Sequence, residues 1–359
     1  MRKKTLLLGL VLTPLFVIGA GCGGGPKDAG ILRSLDGAQT FEAKNNVSGQ
    51  NALASQNVLR IVFNPSNPKE IVVGTQGAGF YFSDNQGDSW ANVAFPKGNG
   101  NAIAIDPSDE DFLYFALDTK IEKSLDSGKS FREVYVDQTG VVNDLIIDGR
   151  DHKKILAVSS SGNFLVSGDQ GETWRATAFI EGTPKKILLD PNDSNHIYVT
   201  TDKKGVVQST DGGLKFNNTA YANFQKSLKT SNNSLYKISD LSVNPFDAQH
   251  VLLASDFGLV ETKDAGKTFE LLPTLVIPQS VPLRSVAFHP TIKNAVFLSA
   301  LNKFYTSTDL AQSWSVVELP TSREVYDIAI SPQNPNEMYL AIKGAAKSGA
   351  PIDFIKFGK

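Results

Sequence analysis

The sequence predicts an all-β fold: a single seven-bladed β-propeller with four-stranded antiparallel blades, the last blade closed by strands from both ends of the chain. Three observations predict it. A short apolar strand that ends in an Asn/Asp-Pro turn, or a relative of it, recurs seven times. A polar turn motif ending in an aromatic residue recurs between those strands. The copy of that motif that is missing after the seventh strand stands near the other end of the chain. Regular self-similarity of this kind marks a repeat architecture, in which each unit buries its apolar face only against its neighbours.

The first mark ends at Asn64, Asp106, Asp148, Asp190, Asn244, His289 and Ser331, at spacings of 42, 42, 42, 54, 45 and 42 residues. Before each of these lies an apolar run such as Ile61-Val62-Phe63 or Ile187-Leu188-Leu189. An Asx or Ser side chain before Pro caps the backbone of a turn, and Pro fixes φ. A second apolar run follows, such as Ile71-Val72-Val73 or Ile197-Tyr198-Val199, so each mark is a β-hairpin.

The second mark is Ser-x-Asp-x-Gly-x-Ser/Thr followed by Trp or Phe. It is complete at Ser124, Asp126, Gly128, Ser130, Phe131 and at Ser167, Asp169, Gly171, Thr173, Trp174. Variants run from Ser83 to Trp90 with Asn85 in the acid position, from Ser209 to Phe216 around Asp211, from Thr262 to Phe269 around Asp264, and from Ser307 to Trp314 around Asp309. The hydroxyl and the carboxylate suit a tight turn because both bond backbone N–H groups locally. Glycine suits its fifth position because it takes φ > 0 without a Cβ penalty. A turn repeated in every unit is structural, so these acids are assigned to the fold and not to metal binding or catalysis.

This motif is the Asp box, or BNR repeat, and the chain resembles the Asp-box β-propellers over nearly all of residues 31–359. That family includes sialidases, sortilin-type receptor domains, xyloglucan-cleaving glycosidases and proteins like the photosystem II assembly factors. The combination of Asn/Asp-Pro strand, hairpin and Asp box is most similar to the sortilin and xyloglucanase style of repeat. The resemblance implies the fold; the box is a turn rather than a site, so function has to be argued from elsewhere.

Six boxes accompany seven Asn/Asp-Pro strands. The seventh box is Ser34 to Phe41, around Asp36. The last blade is therefore expected to take its inner strands from the C-terminus and its outer strands from residues 31–45, which removes free sheet edges. The place of residues 352–357 in that blade is left open.

In each blade the Asn/Asp-Pro turn and the box lie on one face. The remaining loops lie on the other, where a ligand is expected. The residue four before each Asx slot begins an inner strand at the channel mouth: Arg60, Ala102, Asp144, Lys186, Asp240, Ser285 and Asp327. Of these, Arg60, Asp144, Lys186, Asp240 and Asp327 are the candidate ligand contacts; the alternative is that the charges pair with one another. Below them Val62, Ala104, Ile146, Leu188, Ser242, Ala287 and Ala329 make the channel apolar. Convergent polar groups at a concavity form the default site. An insertion at residues 217–237, carrying Tyr221, Phe224 and Tyr236, reads either as a functional loop or as a tolerated one. Residues 275–284, with Pro278 and Pro282, form a second rim loop.

No catalytic set assembles. Resemblance to sialidases implies an arginine triad, a tyrosine nucleophile with a glutamate, and a separate acid. Here only Arg60, Arg284 and Arg323 stand near inner-strand starts, and Leu59-Arg60-Ile61-Val62 lacks the proline of the sialidase signature. Resemblance to xyloglucanases implies two carboxylates across a groove between two propellers. Asp144, Asp240 and Asp327 offer the carboxylates, but the repeats make one propeller. His152, His196, His250 and His289 fall in or beside separate turns without ligand spacing, so they read as turn or surface residues and no metal or cofactor is expected. The stretch from Gly74 to Gly79 has phosphate-loop glycines but no following helix, and reads as a hairpin loop.

The N-terminus has its own chemistry. Arg2-Lys3-Lys4, an apolar run over residues 6–18 and Gly19-Ala20-Gly21 make a secretion signal over residues 1–21, too short to span a bilayer. Cys22, the one cysteine of the chain, follows at once. Its position resembles a bacterial lipoprotein signal and implies lipidation; the alternative is export with a free thiol. Gly19 stands where that family prefers Leu. Residues 22–30 then form a flexible tether, and Gly23 favours an outer-membrane or outer-surface address. Export with one cysteine leaves no disulfide, so packing alone must stabilise the fold. Loss of Arg2, Lys3 and Lys4 takes 35 basic residues to 32 against 37 acidic ones, which gives no general basis for binding nucleic acid. The expectation is a lipid-anchored, monomeric, non-enzymatic binding or scaffold protein whose partner is a protein or glycan of the envelope. The alternatives are a sialidase- or xyloglucanase-like glycoside hydrolase using the mouth aspartates and, more distantly, a role in photosystem II assembly.

Overall fold

A computed structural model describes residues 29–49, 52–93, 97–227, 237–276 and 280–344. The expectations for residues 1–21, for Cys22, for Tyr236 and Pro278, and for residues 352–357 lie outside them. The described residues form seven four-stranded antiparallel sheets arranged as the blades of a propeller. The inner strands are Val58–Phe63, Gly100–Ile105, Val142–Ile147, Pro184–Asp190, Ile238–Asn244, Leu283–Phe288 and Val325–Ile330, and they open the first to the seventh blade in that order.

The second strand of each blade carries a nearly unbroken apolar run, and Ile71–Thr75, Leu113–Leu117 and Ile155–Ser159 are buried from end to end. Such runs belong to strands covered on both faces, and here neighbouring blades supply the cover. The core accordingly divides into seven clusters, each between two adjacent blades. Between the first and second blades, for example, Phe80 stacks on Phe115 with ring centroids 4.2 Å apart. This apolar packing between neighbouring units is what repeat proteins depend on.

The last blade is shared between the chain ends. Glu42–Ala43 pairs with Gly30–Ser34, which pairs with Met338–Ile342, which in turn pairs with Val325–Ile330. The register runs from Gly30 opposite Ile342 to Ser34 opposite Met338. Charged and polar contacts then fasten this blade to the first: Arg33 Nη1 donates to the Gln86 carbonyl at 2.9 Å, Tyr339 Oη donates to the same carbonyl at 2.7 Å, and Lys44 Nζ reaches Asp88 at 2.8 Å. The second and third blades repeat the device, with Lys123 Nζ and Tyr114 Oη both donating to the Gln170 carbonyl at 2.7 Å.

The Asp boxes turn as local hydrogen bonding dictates. In the box around Asp169, Ser167 Oγ donates to Asp169 Oδ1 at 2.8 Å and accepts the Gly171 N–H at 2.8 Å. Asp169 Oδ1 accepts the Thr173 N–H at 2.9 Å, and Oδ2 accepts the Thr173 hydroxyl at 2.6 Å. These bonds pull the Asp169 carboxyl down to about 2, the Thr173 hydroxyl contributing most. Asp36, Asp126, Asp211, Asp264 and Asp309 make the same first bond to a hydroxyl. Asn85, in the acid position of the first blade, also accepts the Ser83 hydroxyl, at 3.0 Å, but its Nδ2 donates to Ser89 Oγ where an aspartate oxygen would accept.

The insertion contains a short helix, Tyr221–Ser227. Tyr221 is fully buried and meets the Phe269 ring edge-on at 5.3 Å, and Phe224 lies against both rings. Tyr221 and Phe224 thus plug the seam between the fourth and fifth blades and are not available at the mouth.

Candidate functional site

Every inner strand carries a β-bulge at its first rung: the register shifts at Leu59, Asn101, Asn143, Lys185, Ser239, Arg284 and Tyr326. A bulge adds an unpaired residue and re-aims its side chain. Two consecutive residues therefore face the channel mouth where regular pleating would present one. Leu59 with Arg60, Lys185 with Lys186, Ser239 with Asp240 and Tyr326 with Asp327 all line one cavity of about 710 Å³. The sequence reading found the inner tier of this mouth and missed the outer one.

The inner tier joins the blades to each other. Asp144 Oδ2 accepts the backbone N–H of Ile187 at 2.8 Å, Asp240 Oδ2 that of Val286 at 3.1 Å, and Asp327 Oδ2 that of Ile61 at 3.3 Å. Each bond runs from one blade to the first strand of the next. Asp240 also accepts the Ser285 hydroxyl at 2.6 Å and is ion-paired with Lys186. Arg60 Nη2 lies 3.4 Å from Asp144 Oδ1. The predicted mouth charges are thus brought together, and four of the five form two ion pairs between blades.

Burial is the largest influence on Asp144 and Asp327 and pushes both carboxyls above the usual range, against the pull of Arg60. For Arg60, burial opposes the charge, but the carboxylates of Asp144, Asp327 and Asp240 outweigh it and raise the guanidinium pKa. A charge taken out of water this far survives only with partners.

The outer tier differs in chemistry. Asn101 Nδ2 and Asn143 Nδ2 donate across blades to the carbonyls of Val142 and Pro184 at 3.0 and 2.6 Å. Among the described residues, the ammonium groups of Lys185 and Lys237 have no hydrogen-bond or ion-pair partner, and Arg284 Nε has no hydrogen-bond partner. Arg284 Nη2 stands 3.7 Å from Glu324. Asp256 is the acid that faces these cations in the same cavity, beside Phe257 and Pro282.

The histidines do not converge. His250 is not the surface residue that its place beside a turn predicted: it is buried, with Nε2 2.6 Å from Glu261 Oε1 and Nδ1 2.9 Å from Asn244 Nδ2. The opposing third strand supplies Glu261, a partner that local sequence does not reveal. Among the described residues no group of His, Cys, Asp and Glu is placed to hold a metal ion.

A general acid and a general base or nucleophile need two available carboxylates. Asp240 and Asp144 are engaged in ion pairs and interblade bonds, which leaves Asp327, with one interblade bond, as the least committed of the three inner-tier acids.

The model of the family described as "Photosynthesis system II assembly factor YCF48" matches residues 25–300. Among curated proteins, the oligoxyloglucan-reducing end-specific xyloglucanase of Emericella nidulans is 34% identical over 94 residues, 24% of this chain and 12% of its own length. Among solved structures, the GH74 xyloglucanase from Xanthomonas campestris superposes with a TM-score of 0.66 at 17% identity, covering 81% of this chain and 51% of that one. YCF48 bound to a D1 peptide superposes at 0.61 and 14%, covering 80% and 94%, and YCF48 from Cyanidioschyzon merolae at 0.61 and 14%, covering 80% and 95%. The chain spans about half the length of the xyloglucanase structures that it resembles. At these identities the structural likeness concerns the fold.

Proposed function

The chain belongs to the family of the photosynthesis system II assembly factor YCF48, and on that premise we propose that it is a non-enzymatic binding protein of the cell envelope that holds a segment of a partner protein at its channel mouth. The observation that carries this reading is the commitment of the mouth acids. Asp144 and Asp240 serve as interblade acceptors and ion-pair partners, so the inner tier builds a rigid ring while the outer tier stays open to a ligand. A rigid scaffold with an adaptable polar rim suits binding at low ordering cost. The family relative bound to a D1 peptide supports a protein partner. Export and lipidation at Cys22, with an outer-membrane or outer-surface address, complete the proposal. Their support is the sequence of residues 1–25.

A glycoside hydrolase is the second reading, favoured by the likeness to xyloglucanases. Reducing-end release from xyloglucan oligosaccharides and sialosides by the purified chain separates the two. The binding reading predicts no release. Release that disappears in Asp144→Asn, Asp240→Asn or Asp327→Asn makes the mouth a hydrolytic site.

A further inference from the structure

The seven bulges split the mouth into two tiers, and the charge balance differs between them. The inner tier holds Arg60 and Lys186 against Asp144, Asp240 and Asp327, with Arg60 and Lys186 each paired. The outer tier holds Lys185 and Arg284 and no acid, since its other members are Leu59, Asn101, Asn143, Ser239 and Tyr326. Lys237, beside the fifth blade, adds a third cation; Asp256 in the cavity and Glu324, 3.7 Å from Arg284 Nη2, are the acids against them, so the cations of this level still outnumber its acids.

We propose that the outer tier is a carboxylate-binding site, in which Lys185, Lys237 and Arg284 receive an acidic segment of the partner protein. This deepens the binding reading above and rests on it. The donors are already in place: two ammonium groups without partners and a guanidinium whose Nε is unbonded among the described residues. Arginine and lysine donors satisfied by a carboxylate form charge-assisted hydrogen bonds, and an unbonded buried donor is costly until a ligand supplies the acceptor. The apolar side of the same cavity, Phe257, Pro282 and the half-exposed Tyr326, gives the ligand's backbone and apolar side chains a surface next to the cations. The inner acids lie one rung deeper and are engaged with the neighbouring blades, so an entering carboxylate meets the cations first.

The test uses fluorescein-labelled peptides and the purified chain, read by anisotropy. Three short peptides separate the sources of charge: an amidated Glu–Gly repeat, with side-chain carboxylates only; a Gln–Gly repeat with a free terminal carboxylate; and an amidated Gln–Gly repeat, which is neutral. The expected result is that one or both charged peptides bind, that added salt weakens them, and that Lys185→Gln and Arg284→Gln each weaken them by roughly tenfold or more. Lys215→Gln, on the opposite face, leaves binding unchanged. Melting temperatures of the variants guard against loss of the fold. Equal binding of the neutral peptide overturns the carboxylate assignment and leaves the partner-holding reading intact. Failure of both charged peptides to bind also overturns it, and xyloglucan cleavage alongside that failure removes both readings. Binding undisturbed in the Lys185 and Arg284 variants places the carboxylate elsewhere on the chain.

Discussion

The carboxylate of Asp240, on the fifth blade, accepts the backbone N–H of Val286, on the sixth, at 3.1 Å. Asp144 does the same for Ile187 and Asp327 for Ile61, so alternate blades from the third to the seventh each reach into the next. The aspartates that invite a catalytic reading are therefore tie-points of the ring.

A tie-point and a catalytic acid respond in opposite ways to truncation. Asp240→Ala strips Lys186, Ser285 and the Val286 N–H of their shared acceptor. It is expected to cost about 3 kcal/mol in denaturant unfolding, as loss of one partner of a buried ion pair does. Functional acids are held against stability, so their removal tends to leave it unchanged or raised. A neutral or stabilising Asp240→Ala contradicts the tie-point role.

Acid should loosen the boxes. Asp36, Asp126, Asp169 and Asp309 have carboxyls lowered to about 2, each chiefly by the Ser or Thr hydroxyl four residues on. A folded-state pKa below the unfolded value gives stability that is present above the unfolded value, near 3.8, and lost as pH falls through about 2. Asp144 and Asp327 carry the opposite sign: their raised pKa values make their ionisation a cost that appears as pH rises past the ordinary range. The expected profile for Asp169→Asn is a lower midpoint than the parent at pH 7 and convergence of the two at pH 2. Parallel profiles across that window refute the assignment.

The fifth position of the box discriminates among residues. Gly213 has φ +93°, and a Cβ there would lie 2.3 Å from Phe164 Cε1. Gly213→Ala is expected to destabilise by roughly 2 kcal/mol or more, from backbone strain plus overpacking. Ala311 holds the same left-handed conformation, φ 65°. Ala311→Gly is expected to be neutral or mildly stabilising, because it relieves the Cβ strain of that region. Thermal unfolding of both variants checks the contrast.

Closure should govern solubility. Deleting residues 1–45 removes the outer strands of the seventh blade and leaves Met338–Ile342, an entirely buried strand, as an open edge. Open apolar edges template further pairing. Size-exclusion chromatography is expected to show aggregates, and a monodisperse monomer would falsify the shared-blade account.

Much of this was legible in the sequence because the repeat imposes one turn chemistry seven times. The spacing of Asn64, Asp106 and Asp148, and the displaced box at Asp36, give blade number and closure together. The bulges were not legible. Their residues are chemically unlike one another, from Leu59 to Lys185 to Tyr326, and a one-residue register shift leaves no residue-type mark. The interblade bonds were hidden for a related reason: Asp144 shows in the sequence as a charge, while its partner is a backbone N–H in another blade. Tyr221 and Phe224 carried a usable signal, three residues apart on one helix face, which points to packing more than to a ligand loop.

The central claim is that a protein segment sits at the mouth, on the face opposite the boxes. The most direct measurement places a photo-cross-linking residue at Tyr326, in the mouth, and separately at Leu214, in a box turn, in the full chain expressed in its own cells. The account predicts a discrete protein adduct from position 326 that diminishes when Lys185 and Arg284 are both replaced by glutamine, and no such adduct from position 214. Adducts from position 214 alone, or a mouth that cross-links no protein while the chain releases reducing ends from xyloglucan, would contradict it.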